Sequence, residues 1–364
     1  MVLIIIAAII LCFYFAMVTA FMLGWQKIDQ FEPAENEIIN TFVSVIVPCR
    51  NEENNLVQLF SALTQQSHQY FELIVVNDHS TDATQSIVNE LKLSLPAVKL
   101  LNATGYGKKN AIKEGIQASK ADLIIMLDAD AVPTTRWLET IVTFQVKFPF
   151  DLLISPVNMN KTHNFWLRLQ ALEFISLIAS GAGAAGNNMP ILCNGANLAI
   201  TRQTWDISHN DLHEEELSGD DIFLLESVKK HHGIIRFLKS EAALVTTHPA
   251  TSLHEFIHQR RRWAAKFSSY TDRQLIAVTF IVFLTVLAEL VLGVFSLMDG
   301  KYGHVLGIYF ILKFSIDFSF LNQVRKFFHL KNIVLESMAL SLIYPFYTVF
   351  VGISGILFKP VSWK

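Results

Sequence analysis

Residues 2–25 contain no charged side chain. A helical apolar run of roughly 20 residues matches the hydrocarbon thickness of a bilayer. This one feature removes most soluble architectures from consideration. A cleaved secretory signal would carry a basic start, a shorter apolar core and a small-residue cleavage site. No Lys or Arg precedes Lys27, so the run reads as a retained transmembrane helix. Three further apolar segments follow near the C-terminus, at residues 275–298, 305–321 and 333–358. Lys313 and Asp317 interrupt the middle one, four residues apart on one helical face, where they can pair inside a bundle.

Basic residues then set the orientation. Arg260, Arg261, Arg262, Lys266 and Arg273 precede the second span, and Arg325, Lys326 and Lys331 lie between the third and fourth. With four crossings both groups face the same side. The expectation is an integral membrane protein of a bacterial inner membrane, with its large central region in the cytoplasm. The composition, 52% hydrophobic, agrees with this reading. A net charge of −3 without a broad basic patch argues against a nucleic-acid partner. Cys12, Cys49 and Cys193 form no CxxC, which argues against a disulfide framework or a zinc site.

The central region alternates between strand and helix patterns. "FVSVIV", "ELIVV", "VKLL" and "DLIIML" are short apolar runs of the kind that form buried strands. Helical spacing of apolar residues, as at Leu56, Leu59, Phe60 and Leu63, separates the first two. The fold class expected is α/β, a parallel sheet with helices on both faces. Three regions follow: residues 1–25 as a transmembrane helix, 42–270 as a cytoplasmic α/β domain, and 275–358 as a transmembrane region. In such sheets ligands bind beyond the carboxyl ends of the strands. Polar residues gather there: Arg50, Asn51 and Glu52, then Asn77 and Asp78, then Asp128 and Asp130.

Asp128-Ala129-Asp130 places two carboxylates one residue apart at a strand end, where both can face one side. Hard divalent cations take such oxygen donors and share them with phosphates. Gly105-Tyr106-Gly107-Lys108 is not a P-loop, because Asn102 stands where the first Gly is needed and Lys109 where Ser or Thr is needed. Lys108 reads equally as a surface lysine or as a partner of a phosphate or acid. Asp220 and Asp221, before a helical pattern, read either as helix-terminal acids or as a pair in which one orients and one accepts a proton. Ser252 and Glu255 form a capping-box pattern that starts a helix. On it Gln259, Arg262 and Trp263 share a face suited to a diphosphate and a sugar. Arg260 and Arg261 turn elsewhere and would anchor the helix to the membrane. Residues 166–178 form a helix, interfacial or core, with "SGAGAAGNN" after it as a mobile link. His248, before Pro249, reads as a turn histidine rather than a metal ligand.

"VSVIVPCRNEENNL", "ELIVVNDHSTDAT", "GKKNAIKEGI", "LIIMLDADAVP", "SGDDIFL" and "QRRRW" occur in this order. Together they resemble the membrane-bound family 2 glycosyltransferases of GT-A fold, a group that includes ceramide glucosyltransferases and processive polysaccharide synthases. The resemblance implies a GT-A, Rossmann-like nucleotide-sugar-binding domain with one N-terminal and about three C-terminal transmembrane helices. It implies that Pro48, Arg50 and Glu52 line the nucleotide pocket, that Asp78 contacts the base, usually uracil, and that Lys108 sits near the phosphates. Asp128 would face the nucleotide-sugar, and Asp130, with Asp128, would hold Mg²⁺ or Mn²⁺. Asp221 matches the general base and Asp220 the acid before it. Gln259, Arg262 and Trp263 match a QxxRW motif near the diphosphate and acceptor, and Gly195 and Asn197 match an acceptor-side segment. The activity implied is inverting transfer from a nucleotide-sugar, a UDP-sugar, to a lipid or glycan acceptor. A lipid or lipid-linked acceptor is preferred because about four spans leave little material for a polymer channel. The alternatives are a processive polysaccharide synthase and a catalytically inactive nucleotide-sugar-binding scaffold.

Overall fold

The computed structural model describes every residue except 35–38, 93–96, 161–162, 214–215, 217–218 and 359–364. In chain order its elements are α1 (Val2–Lys27), β1 (Val43–Cys49), α2 (Leu56–Thr64), β2 (Phe71–Asn77), α3 (Thr84–Leu91), β3 (Val98–Asn102), α4 (Lys108–Ala118), β4 (Leu123–Leu127), β5 (Val132–Pro133), α5 (Trp137–Lys147), β6 (Leu152–Ile154) and β7 (Val157–Met159). Then come α6 (Phe165–Gly186), β8 (Asn197–Thr201), α7 (Arg202–Ser208), α8 (Asp220–Lys230), β9 (Ile235–Phe237), β10 (Val245–Thr247), α9 (Leu253–Ala265), α10 (Arg273–Ser296), α11 (Gly300–Val324) and α12 (Val334–Leu357). They form two compact units. One holds Ile28–Asn160 and Leu192–His248, and the other holds Met1–Lys27, Lys161–Ile191 and Pro249–Pro360.

The first unit is built on a seven-stranded sheet of order β3-β2-β1-β4-β8-β6-β9. Every residue of β1, β2 and β4 is buried, as expected of strands covered on both faces. Pairing is parallel from β3 through β4, in line with the alternating pattern of the sequence. It then turns antiparallel on both sides of β8. The sheet is therefore mixed rather than parallel throughout. This matters for function, because an antiparallel strand delivers its amino end to the rim where its neighbour delivers its carboxyl end. Asn197, the first residue of β8, pairs with Leu127, the last of β4. The parallel register sets Cys49 beside Asn77 and Asn77 beside Asn102, so the residues after each strand emerge together.

Helix α4 packs against β1 and β2. Gly115 makes the approach close, since a Cβ there would lie 2.6 Å from the Ile46 side chain and 2.9 Å from that of Val76. A smaller sheet of order β5-β10-β7 lies in the same unit.

The second unit is helical. Five helices among the described residues are long and apolar enough to cross a membrane: α1, α6, α10, α11 and α12. The segments expected near the C-terminus appear as α10, α11 and α12, and Lys313 pairs with Asp317 at 3.1 Å. Tyr14 on α1 donates to the same carboxylate at 2.7 Å. Such pairing is what makes an ionisable group tolerable in an apolar bundle.

Helix α6 departs from the expected pattern. The stretch "SGAGAAG" is its last two turns and not a mobile link. The reason is packing: small residues let two helix backbones approach closely. A Cβ on Gly24 would collide with the Gly183 carbonyl, and one on Gly183 with the Phe21 carbonyl. Asn187 donates to the Ala20 carbonyl at 2.6 Å and accepts from Lys27 at 2.8 Å, closing the same seam. The most apolar stretch of α6 is 67% buried, against 22–33% in the other four helices.

The α1–α6 seam yields a direct expectation. Gly183→Val should push the two backbones apart and cost about 1–3 kcal/mol, the usual range for overpacking. Gly293→Val, at a position where an added Cβ meets nothing within 4 Å, is the control. Thermal unfolding in detergent should separate the two variants. Equal melting points would mean the seam tolerates a side chain.

Candidate active site

The site is best built outward from Lys108, the first residue of α4. A cation at a helix N-terminus opposes the macrodipole by roughly 0.3–1 kcal/mol, so something must offset it. The Lys108 ammonium lies 2.7 Å from Asp128 and 3.7 Å from Asp220. Its side chain is 16% exposed, and those of Asp128 and Asp220 are 28% and 11% exposed. Burial alone would pull Lys108 downward, but Asp128 and Asp220, with a smaller effect of Asp221, raise it well above the ordinary lysine value. Of the two sequence readings of Lys108, the partner of an acid is the one the structure contains.

Asp128 follows β4 at the sheet rim. Burial raises its carboxyl; Lys108 acts against this, while Asp130 and Asp221 push it further up, and it sits above the ordinary aspartate value. Asp130 accepts a hydrogen bond from the Thr247 hydroxyl at 3.1 Å. The small sheet arranges this, because β10 pairs antiparallel with β5, which begins two residues after Asp130. Thr247 escaped the sequence reading, since a three-residue strand is too short to show a period.

Asp220 and Asp221 occupy the first turn of α8, where the dipole favours anions. Gly219 before them has φ +93°, in the left-handed region glycine adopts without strain. Asp221 accepts from the Gly195 N–H at 3.2 Å and from its neighbour Ile222 N–H at 2.8 Å. The Cys193 thiol donates to the Asp221 carbonyl at 3.2 Å. Gly195 sits tightly against the acids and the lysine: a Cβ would lie 3.2 Å from an Asp220 oxygen and 3.3 Å from the Lys108 nitrogen, so those side chains would have to yield by a few tenths of an ångström. The "CNGAN" segment thus reaches the acids through Gly195. Asn197 is placed otherwise. It is fully buried, accepting from the Trp137 indole at 2.9 Å and donating to the carbonyls of Pro156 and Ala243 at 2.9 and 3.0 Å. It joins core elements and does not open to the rim.

A second cluster surrounds Asp78. It is fully buried, lies 3.9 Å from Arg50, and accepts the Gly107 N–H with both oxygens at 3.1 Å. Pro48 is buried within β1. Glu52 is 6% exposed and accepts from Asn55 at 2.6 Å, and its own N–H donates to the Thr84 hydroxyl at 2.8 Å. The loop of Thr104–Gly107 is held by Glu114, another residue the sequence reading missed. Burial acts to raise Glu114, but the Thr104 hydroxyl and N–H, the Gly105 N–H and the Asn110 amide bring it down to about 2.

Do the residues present suit a divalent cation? Asp128 and Asp130 offer the hard oxygen donors that Mg²⁺ and Mn²⁺ take. Asp130 acts to raise the Asp128 carboxyl, a repulsion that a cation held by both would offset. Among the described residues no group of three His, Cys, Asp or Glu side chains gathers to hold a metal. The pair therefore suits a cation that shares its coordination with phosphate oxygens and water. His248 is exposed and bonds Asn160 at 2.7 Å, as expected of a turn histidine.

Gln259, Arg262 and Trp263 lie on α9, in the helical unit. Ser252 caps this helix by accepting the Glu255 N–H at 3.1 Å, as its sequence pattern predicts. The division of the arginines differs from expectation. Arg260 is 3% exposed and pairs with Glu173 of α6 at 2.5 Å. Arg261 donates to the carbonyl of Phe358, beyond the end of α12, at 2.8 Å. Neither is a freely exposed membrane anchor. Charge counting cannot see Glu173, which is more than eighty residues distant in sequence.

Fold and site together define a GT-A-like α/β protein with several long apolar helices at its two ends. Residues 44–204 match the family described as Glycosyl transferase family 2. Beta-monoglucosyldiacylglycerol synthase of Synechocystis sp. is 26% identical over 247 residues, covering 63% of this chain and 49% of that protein. Chondroitin synthase of Pasteurella multocida is 27% identical over 176 residues, or 47% of this chain and 17% of that one. The chain thus spans about half the length of the first of these relatives, and less of the second. Mannosyltransferase PcManGT from Pyrobaculum calidifontis, solved in complex with GDP-Man and Mn²⁺, superposes with a TM-score of 0.55 at 14% identity, over 98% of this chain and 100% of that one. At that identity the likeness establishes the fold.

Glu114 gives a pH test. Its folded value, about 2, lies below the ordinary 4.5. Its stabilisation is then fully present above pH 4.5 and is lost as the pH falls toward 2. Glu114→Gln should flatten that acid limb of the stability curve and leave its neutral region nearly parallel to the parent. A steep acid limb retained in the variant would assign the loss to other carboxylates.

Proposed function

We propose that the protein is an inverting, metal-dependent glycosyltransferase. It moves a sugar from a nucleotide-sugar to a lipid or lipid-linked acceptor at the cytoplasmic face of a membrane. One observation carries this reading: Lys108 draws Asp128 of the DxD segment and Asp220 of the "GDD" segment to within 4 Å of one ammonium, with Asp221 beside them. A structural salt bridge needs one acid. Three acids from two motifs around one lysine suit chemistry in which charge develops and is transferred.

The roles follow from the groups. Asp221, steadied by the N–H groups of Gly195 and Ile222, takes the proton of the acceptor hydroxyl. The hydroxyl oxygen forms a bond to the anomeric carbon as the bond to the diphosphate breaks, and the nucleoside diphosphate leaves with the electron pair. A single displacement inverts that centre. Asp220 and Lys108 hold the general base and the DxD acid in register. A divalent cation on Asp130 and Asp128 supplies positive charge against the diphosphate when bound. The nucleotide end is assigned to Pro48, Arg50, Glu52 and Asp78, and the UDP preference follows from the motif resemblance. Gln259, Arg262 and Trp263 keep the diphosphate and acceptor roles of their motif.

The lipid acceptor has support beyond the long apolar helices, since the Synechocystis relative's name describes a sugar on diacylglycerol. The Pasteurella relative's name describes a polysaccharide, so product length is part of the test.

Purified protein in lipid should release nucleotide from one member of a panel of UDP- and GDP-sugars when native lipid extract is added with Mn²⁺ or Mg²⁺. Asp221→Asn should lower that rate by about 100-fold or more, the scale of a lost general base. Asp130→Ala and chelation should each abolish it. A labelled product that partitions into organic solvent with a single sugar identifies single transfer to lipid; a labelled ladder identifies a synthase. Donor binding with no release from any extract, unchanged by Asp221→Asn, would overturn the enzymatic reading.

A further inference from the structure

Arg260 and Glu173 are both buried, at 3% and 4% exposure, inside the helical unit. Taking two charges out of water costs several kcal/mol per ion, and the pair recovers this only when every donor and acceptor is used well. Here the guanidinium is used on all sides. Its Nε and NH2 donate to the two Glu173 oxygens, at 3.3 and 2.5 Å. Its NH1 donates to the Gln259 side-chain oxygen at 2.7 Å. Its central carbon lies 4.1 Å from the centre of the Trp263 ring and 4.7 Å from that of Phe256. Tyr347 of α12 closes the arrangement by donating to Glu173 at 3.3 Å.

One buried side chain thus touches two of the three residues of the QxxRW motif. Trp263 lies one helix turn on, three positions after Arg260, and the long Arg260 side chain also reaches back to the Gln259 side-chain oxygen. We propose that the Glu173–Arg260 pair is a positioning brace: it sets the rotamer of Gln259 and the plane of Trp263 for the transfer reaction. The inference rests on the glycosyltransferase reading for its kinetic consequence, but not for its structural one. Arg260 is not a catalytic residue in this account. It acts through the two side chains it holds, and Glu173 acts through Arg260. A lysine cannot replace it, because an ammonium has no planar fork to grip a carboxylate while stacking on an indole.

The test has two independent readouts on full-length protein in detergent or lipid. The first is acrylamide quenching of tryptophan fluorescence, with Trp263→Phe subtracted so that Trp263 is isolated from the other five tryptophans. Glu173→Gln and Arg260→Lys should each make Trp263 more quenchable. The second is nucleotide release with the active donor. Both variants should lose about 10- to 100-fold in kcat, the scale of an ångström-level misplacement, with KM for the donor within about 2-fold of the parent. A merely structural pair would lower melting temperature and yield but leave kcat per folded molecule unchanged. Glu173→Gln, nearly isosteric, guards against simple misfolding. Unchanged quenching in both variants would overturn the brace, as would unchanged kcat in variants that quench more. If the parent turns over no nucleotide-sugar, the transferase reading fails, and the quenching result alone decides whether the brace exists.

Discussion

The sheet-bearing unit depends on one ammonium group. Lys108 holds Asp128 and Asp220 within 4 Å of one ammonium, and its removal takes away the charge that offsets their repulsion with Asp221. At an effective dielectric near 20, a unit-charge contact at such distances is worth about 4 kcal/mol before desolvation is subtracted. That is a large part of a typical domain's stability. The lysine can stand there because α4 is pressed against β1 and β2 at Gly115, which fixes where its first residue points. Packing of a helix on a sheet is thereby converted into the placement of a charge. The acids answer in kind: α8 begins with two of them, at the end of a helix where negative charge is favoured.

Much of this was legible in the sequence. Short apolar runs marked β1, β2, β3 and β4, and the polar residues following them do meet at one rim, because parallel pairing leaves no other place for them. The DxD acids and the "GDD" acids are recognisable as groups at element ends, whereas Lys108 is open in the sequence between a surface lysine and a partner of a phosphate or acid. What stayed hidden has a common physical character. The antiparallel insertion of β8 cannot be read from local pattern, since a buried strand looks the same in either direction. Thr247 and Glu173 act across long sequence separations, and neither sits in a motif of its own. Asn197 belongs to a segment that matches an acceptor-side pattern, yet its amide is spent on Trp137, Pro156 and Ala243.

The basic run on α9 illustrates a separate point about counting charges. Three adjacent arginines suggest one electrostatic role, but a helix sends them in three directions about 100° apart. One is buried against a glutamate of α6, and one reaches the carbonyl of Phe358 after α12. The positive-inside rule counts such residues alike, because it reads topology and not side-chain fate. Burial and hydrogen bonding separate them.

Tyr14 and Asp317 are 303 residues apart in the chain, yet they share a hydrogen bond within the helical unit. Synthesis runs from the N-terminus, so α1 is made long before α11 exists. During that interval the Asp317 carboxylate that Tyr14 bonds is not yet made, and neither is Lys313, which pairs with that carboxylate. The entire sheet-bearing unit is translated in between. The α1–α11 contact can therefore form only after the sheet-bearing unit between them has been translated, so the helical unit completes itself when the other unit is already made.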